Sequence, residues 1–227
     1  MYLSDRDINW AIAKKQLIID PPSKVDPTSI DLHLDRVEEA QIWNLKLLSE
    51  RHRTLGVHEP EVRIGTFNWG EFSEQYLMPP PDECPDAKVC RRGRQVIVRP
   101  GGFLLWQTKE VVGTPDEGAQ LICFVDGKST KARTGILVHF TAPTIHAGWH
   151  GNVVLEIANL GPFTFVLQED DVIAQVTVAT ISSVPEKTQK EAGSQTLGQT
   201  TVKGQPADPK PPRSKPSKPK ARPAKKS

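Results

Sequence analysis

The sequence contains no apolar run approaching the roughly 20 residues that a membrane-spanning helix requires, and its mean hydropathy is −0.42. Cysteine is scarce. Cys84, Cys90 and Cys123 are too few and too irregularly spaced for a disulfide framework. The opening Met1-Tyr2-Leu3-Ser4-Asp5-Arg6-Asp7 lacks the basic-then-apolar layout of a secretory leader. A cytoplasmic protein without membrane contact is therefore expected. Zinc signatures are absent too. Base deaminases that use zinc carry His-x-Glu and a later Pro-Cys-x-x-Cys, and neither pattern occurs. His139, His146 and His150 match no standard zinc spacing and have no companion cysteine pair. No zinc or other protein-held metal is expected.

The net charge of +2 over 227 residues hides a division. From Lys203 to Ser227 there are nine basic residues and one acid, Asp208. Taking these from the 29 and 27 of the whole chain leaves 20 basic and 26 acidic residues in the body. The basic balance thus belongs to the tail and does not indicate a nucleic-acid-binding fold. Residues 1–200 are expected to form one domain. Residues 201–227, rich in Lys and Pro, are expected to be a disordered extension. It reads as a solubilising tail, or as a weak tether to nucleic acid or another anionic partner.

Helical signals are confined to the start, where Ser4 to Leu17 carries an acidic first turn and apolar residues at helical spacing. Ser29 to Leu34 alternates with period two, as a strand does. Residues 45–95 read as loops with one or two short strands. From Gln95 onward, short apolar strands alternate with turns such as Pro100-Gly101-Gly102, Asp126-Gly127 and Leu160-Gly161-Pro162. Strands at this spacing, without helices between them, predict a mainly β sandwich or barrel.

Two segments carry candidate chemistry. Asp126-Gly127-Lys128-Ser129-Thr130-Lys131-Ala132-Arg133 gathers hydroxyls, cations and a flexible glycine after a strand. Such a turn suits phosphate: Arg forks onto phosphate oxygens, and hydroxyls with backbone N–H groups fill the other acceptors. It equally fits a solvated basic turn. It is not a P-loop, because Ile122 stands where that motif needs its first Gly. The second segment is Val153-Val154-Leu155-Glu156-Ile157-Ala158-Asn159. A strand here places Glu156 beside Val154 and Ala158 on one face. Desolvation there is expected to raise its pKa and suit it to carry protons. The same pattern fits an outward-facing Glu, or one neutralised by an Arg.

Taken together, Gly127-Lys-Ser-Thr-Lys-Ala-Arg133, Gly135-Ile-Leu-Val-His139, Thr141-Ala142, Gly148-Trp149, Gly151 and Val154-Leu-Glu-Ile-Ala-Asn159 resemble the dCTP deaminase branch of the trimeric dUTPase-like family. The opening Met1–Ile8, Ser29–Leu34 and Pro100–Glu110 are similar as well. The resemblance implies a dUTPase-like β fold, with sites between subunits of a homotrimer. It implies zinc-independent deamination of dCTP to dUTP and ammonia. Lys128 (where the family usually has Arg), Ser129, Thr130 and Arg133 would hold the triphosphate, with Mg²⁺ carried by the substrate. Glu156 would take a proton from water attacking C4 and pass it to N3 and the leaving amine. Ser129 would place that water, and the Ala142 carbonyl would receive the exocyclic amine. His146 stands where the family has an Asp that contacts the sugar and, in dUTPases, aligns the water that attacks phosphorus. This argues against the alternative of a dUTP diphosphatase or bifunctional enzyme. Gln195 falls in a loose echo of the family's closing segment. A further alternative is a nucleotide-binding protein without catalysis.

Overall fold

A computed structural model describes residues 1–55, 62, 65 and 67–204. Along the chain run helix α1 (Asp5–Ala13), strands β1 (Ile18–Asp20), β2 (Val25–Asp26) and β3 (Ser29–His33), and a 3-10 turn at Val37–Glu39. Strand β4 (Ile42–Trp43), helices α2 (Leu45–Leu55) and α3 (Trp69–Tyr76), and strands β5 (Leu77–Met78), β6 (Val89–Arg92) and β7 (Gln95–Val98) follow. Then come β8 (Phe103–Gly113), β9 (Leu121–Gly127), helix α4 (Ser129–Ala132), β10 (Ile136–Val138), β11 (Thr144–Ile145), β12 (His150–Asn159), β13 (Phe165–Gln168) and β14 (Val172–Thr180). The mainly β expectation holds.

The strands form a sheet of order β1-β8-β12-β10, a second of order β11-β9-β14-β3-β2, a third of order β13-β7-β6, and the pair β4-β5. Period-two alternation drives their burial. Leu104 and Trp106 on β8, Leu155 and Ile157 on β12, Ile30 and Leu32 on β3, and Val176 and Val178 on β14 are all fully buried in one cluster. The β8–β12 ladder pairs Leu105 with Glu156. Its other face carries a smaller cluster of Leu77, Leu105 and Val202, packed by Trp43, Trp69, Phe103 and Val154. Where α4 returns to β10, Gly135 has φ +92°, and a Cβ there would lie 2.4 Å from Gly161 Cα. Only a glycine lets those two turns touch.

Two expectations need correction. The first helix ends at Ala13, short of Leu17, and Lys15 follows at φ 56°. The described part of residues 45–95 is not chiefly loops: it contains α2 and α3. Side chains of Asn44 and Asn68 cap these helices, accepting from Leu47 N and Glu71 N at 3.0 Å each. Aromatic packing holds α3 in place, with Trp43 against Phe72 at 5.7 Å and against Trp69 at 6.4 Å between ring centroids. The chain just beyond residue 200 also makes contacts with the fold. Val202 is 1% exposed, and Ser73 Oγ donates to the Lys203 carbonyl at 2.9 Å. One apolar side chain in an otherwise polar run suffices to seat the chain in a ready-made apolar niche. The expected tail beyond residue 204 lies outside the described residues. Among the described residues, no helix is long and apolar enough to cross a membrane.

Candidate active site

Glu156 sits mid-strand on β12, flanked by the fully buried Leu155 and Ile157, and points to the opposite face with Val154. Its side chain is 34% exposed and opens into a cleft of about 350 Å³. The cleft is also lined by His139, Ala142, His146, Trp69 and Leu105. Strand β10 pairs antiparallel with β12, Val138 opposite Ile157. His139 follows at φ 66° and gives its backbone N–H to the Glu156 carbonyl at 3.0 Å. A positive φ is uncommon outside glycine and turns the chain abruptly. Here it ends the strand, and the imidazole lies against the carboxylate.

The contacts of that imidazole fix its protonation. His139 Nε2 lies 2.8 Å from the Ala142 carbonyl oxygen. A carbonyl only accepts, so Nε2 carries a proton. Nδ1 lies 3.0 Å from Glu156 Oε2, an ion-pair contact rather than an aligned hydrogen bond. A neutral ring would then turn its Nδ1 lone pair towards the carboxylate. The arrangement therefore calls for one further proton, on Nδ1 or on Glu156. Phe140 N also approaches Oε2, at 3.3 Å. Oε1 has no hydrogen-bond partner among the described residues and is the oxygen left for a ligand or water.

Electrostatics follow from this pairing. Burial acts to raise the Glu156 pKa, as its place in an apolar strand suggested. The contact and charge of His139, with the backbone N–H groups of Glu156 and Phe140, outweigh it, and the pKa is lowered. The expected upward shift is thus corrected. Burial lowers the His139 pKa, but Glu156, the Ala142 carbonyl and Asp126 outweigh it in turn, and the net shift is upward. The neutralising partner of Glu156 is a histidine, not an arginine. The sequence had marked His139 only as an unsuitable metal ligand. Its signal was its place at the end of an apolar strand that pairs with the strand carrying Glu156.

The other expected site residues divide into two groups. Ala142 and the exposed His146 line the Glu156 cleft. Ser129, Thr130 and Arg133 do not: they are exposed on and beside α4, without side-chain partners among the described residues. Lys128 is engaged by other groups of the chain. Its ammonium lies 2.5 Å from Asp31, 3.3 Å from Gln175 and 3.6 Å from Asp26. Carboxylates of the same chain hold it, away from the exposed hydroxyls. It lines a separate hollow with Asp126, Lys131 and Val138. Within the chain, then, the phosphate-type turn and the carboxylate face different spaces. His150 pairs with Asp116 at 3.2 Å. No group of three His, Cys, Asp or Glu that could hold a metal ion occurs among the described residues.

Residues 188–204 form a strap over the Glu156 cleft. Trp149 Nε1 donates to Thr196 Oγ1 at 3.2 Å, and Gln199 Nε2 donates to the Asn152 carbonyl at 2.7 Å. Gly151 allows this approach, since a Cβ there would lie 2.9 Å from the Gln199 carbonyl oxygen. Ser194, Thr196 and Gln199 line the cleft. Gln195 does not: it is exposed, and its Oε1 accepts from Trp69 N at 3.2 Å.

The model of the dCTP deaminase-like family matches residues 2–181. This chain belongs to that family. The family's relatives include the dCTP deaminase of Natronomonas pharaonis, 33% identical over 206 residues that cover 88% of this chain and 91% of that one. The dUMP-forming dCTP deaminase of Methanosphaera stadtmanae is 28% identical over 203 residues, covering 87% and 89%. Among solved structures, the 2'-deoxycytidine 5'-triphosphate deaminase from Agrobacterium tumefaciens shares the fold with a TM-score of 0.51 at 16% identity. That match covers 79% of this family member, which spans only 48% of the solved chain. The likeness bears out the expected mainly β fold of a dCTP deaminase.

Proposed function

We propose that the chain is a cytoplasmic dCTP deaminase that hydrolyses dCTP to dUTP and ammonia without zinc. The carrying observation is the Glu156–His139 pair, which holds a proton beside a free carboxylate oxygen at the cleft. Glu156 takes a proton from water as its oxygen adds to C4 of cytosine. Glu156 gives that proton to N3, then takes the proton of the hydroxyl now on C4 and gives it to the amine; the C4–N bond breaks, ammonia leaves and the C4 carbonyl forms. The Ala142 carbonyl keeps a second lone pair for the amine. Ser129, Thr130 and Arg133 grip the triphosphate of the Mg²⁺–dCTP substrate, and Ser129 places the water. Such grips are electrostatic and need exposed, unpaired groups, as these are.

Side-by-side incubation of dCTP, CTP and dUTP with Mg²⁺ and a zinc chelator tests the reaction. Ammonia and dUTP are expected from dCTP. His146 offers no carboxylate to align water on phosphorus, so dUTP is expected to accumulate without pyrophosphate. Pyrophosphate from dUTP would instead establish a dUMP-forming enzyme. Tight dCTP binding with no turnover would establish a binding protein.

The separation of the 129–133 turn from Glu156 within one subunit supports a homotrimer with sites completed by a neighbour. Arg133→Ala and Glu156→Gln chains are each expected to be inactive. Refolding them together in equal amounts is expected to restore about a quarter of wild-type activity, since random mixing leaves that share of sites with both native groups. No recovery would place both residues in one subunit's site.

A further inference from the structure

Trp69 has a place in the cleft that the proposed reaction does not use. It opens α3, is half-buried, and lines the cleft with Leu105, Val154 and Glu156. Its indole is fixed from several sides. Nε1 donates to the Val202 carbonyl at 3.3 Å, and its backbone N–H meets Gln195 Oε1 at 3.2 Å. Trp43 packs against it edge-on with ring centroids 6.4 Å apart, and Phe67 packs at 6.2 Å. Trp149 also lines the cleft but is almost wholly buried. Trp69 is thus the tryptophan with surface left to give to a ligand. An aromatic wall held in advance binds a flat ring at low entropic cost. Leu105 lies directly across the ladder from Glu156, so this apolar wall begins beside the proton carrier.

We propose that Trp69 is a substrate-binding residue that receives the face of the cytosine ring and helps to present its C4 edge to Glu156. The proposal rests on the deaminase reading for the identity of the base. A planar π-surface opposite a nucleobase contributes substantially to affinity and depends little on hydrogen bonding. It should therefore tolerate Phe and fail with Leu, which keeps apolar volume but not planarity.

The test is equilibrium binding of dCTP to the full chain carrying Glu156→Gln, where turnover is suppressed. Adding Trp69→Leu is expected to weaken binding about tenfold, whereas Trp69→Phe stays within about threefold. Ser73→Ala removes the bond from α3 to Lys203 without touching the cleft, and is expected to leave dCTP affinity unchanged. Equal losses for Leu and Phe, no loss for Leu, or a Ser73→Ala loss matching that of Leu would overturn the proposal. Should the Leu chain fail to fold, indole emission decides. The dCTP-induced change in wild type must shrink in Trp69→Phe, and an unaltered change refutes the contact. Because these readouts are binding, a wild-type chain that binds dCTP but releases no ammonia overturns the reaction alone.

Discussion

Glu156→Gln is expected to lower the rate of ammonia release from dCTP about a thousandfold, the scale lost when a positioned acid–base group is removed. Gln keeps the size and planarity of the side chain and cannot take a proton from water. The strand beneath it rests on Leu155 and Ile157, both fully buried, so the fold does not depend on the carboxylate. A melting temperature within a few degrees of wild type is expected, together with retained dCTP binding. Release at the wild-type rate would remove Glu156 from the chemistry. A collapse of the melting temperature would make its role structural.

His139→Asn is expected to lower turnover about a hundredfold and to move the acid limb of the pH–rate profile to higher pH. His139 contributes a proton and a positive charge beside Glu156, and these hold the carboxylate pKa down. Asn tolerates the positive φ of this position but brings neither charge nor a titrating proton. Burial then acts on Glu156 with less opposition, and its pKa rises. An acid limb that stays in place would show that His139 does not tune Glu156. The sign of the stability effect also follows. His139 is raised in the folded chain, so its contribution is fully present below about pH 6.5 and fades as pH climbs through the folded value. Glu156 is lowered, so its contribution is present above about pH 4.3 and is lost as pH falls through the folded value. The pair is strongest between these limits. Wild type and His139→Asn should differ most in melting temperature there, and converge at alkaline pH.

Much of this was legible in the residues themselves. Alternation along Val153–Asn159 already assigned Glu156 to the face opposite Leu155 and Ile157, and β12 keeps that alternation. Strand order along the chain from Gln95 onward was marked by turns that the backbone uses. The hydroxyls and Arg of the 127–133 segment stand exposed, as a phosphate grip needs. Those features are local: period-two burial and turn chemistry act within a few residues, and a sequence displays them directly.

What the sequence hid depends on distant partners. The direction of the Glu156 pKa shift turned on His139, seventeen residues earlier and brought near by β10–β12 pairing. Nothing in the run 139–149 fixes the register that makes them meet. Lys128 looked like a free cation until folding set Asp31, nearly a hundred positions away, against its ammonium. The α3 helix is packed by Trp43, which meets Trp69 and Phe72, and Val202 packs because β8 and α3 leave an apolar niche for it. The sequence by itself determined a β-rich chain with one carboxylate on the open face of an apolar strand. Only the tertiary structure decided that this carboxylate lies 3.0 Å from a histidine ring and lines the same cleft as a strap and a tryptophan. Charge pairing and aromatic packing act between residues close in space, and sequence spacing does not encode that closeness.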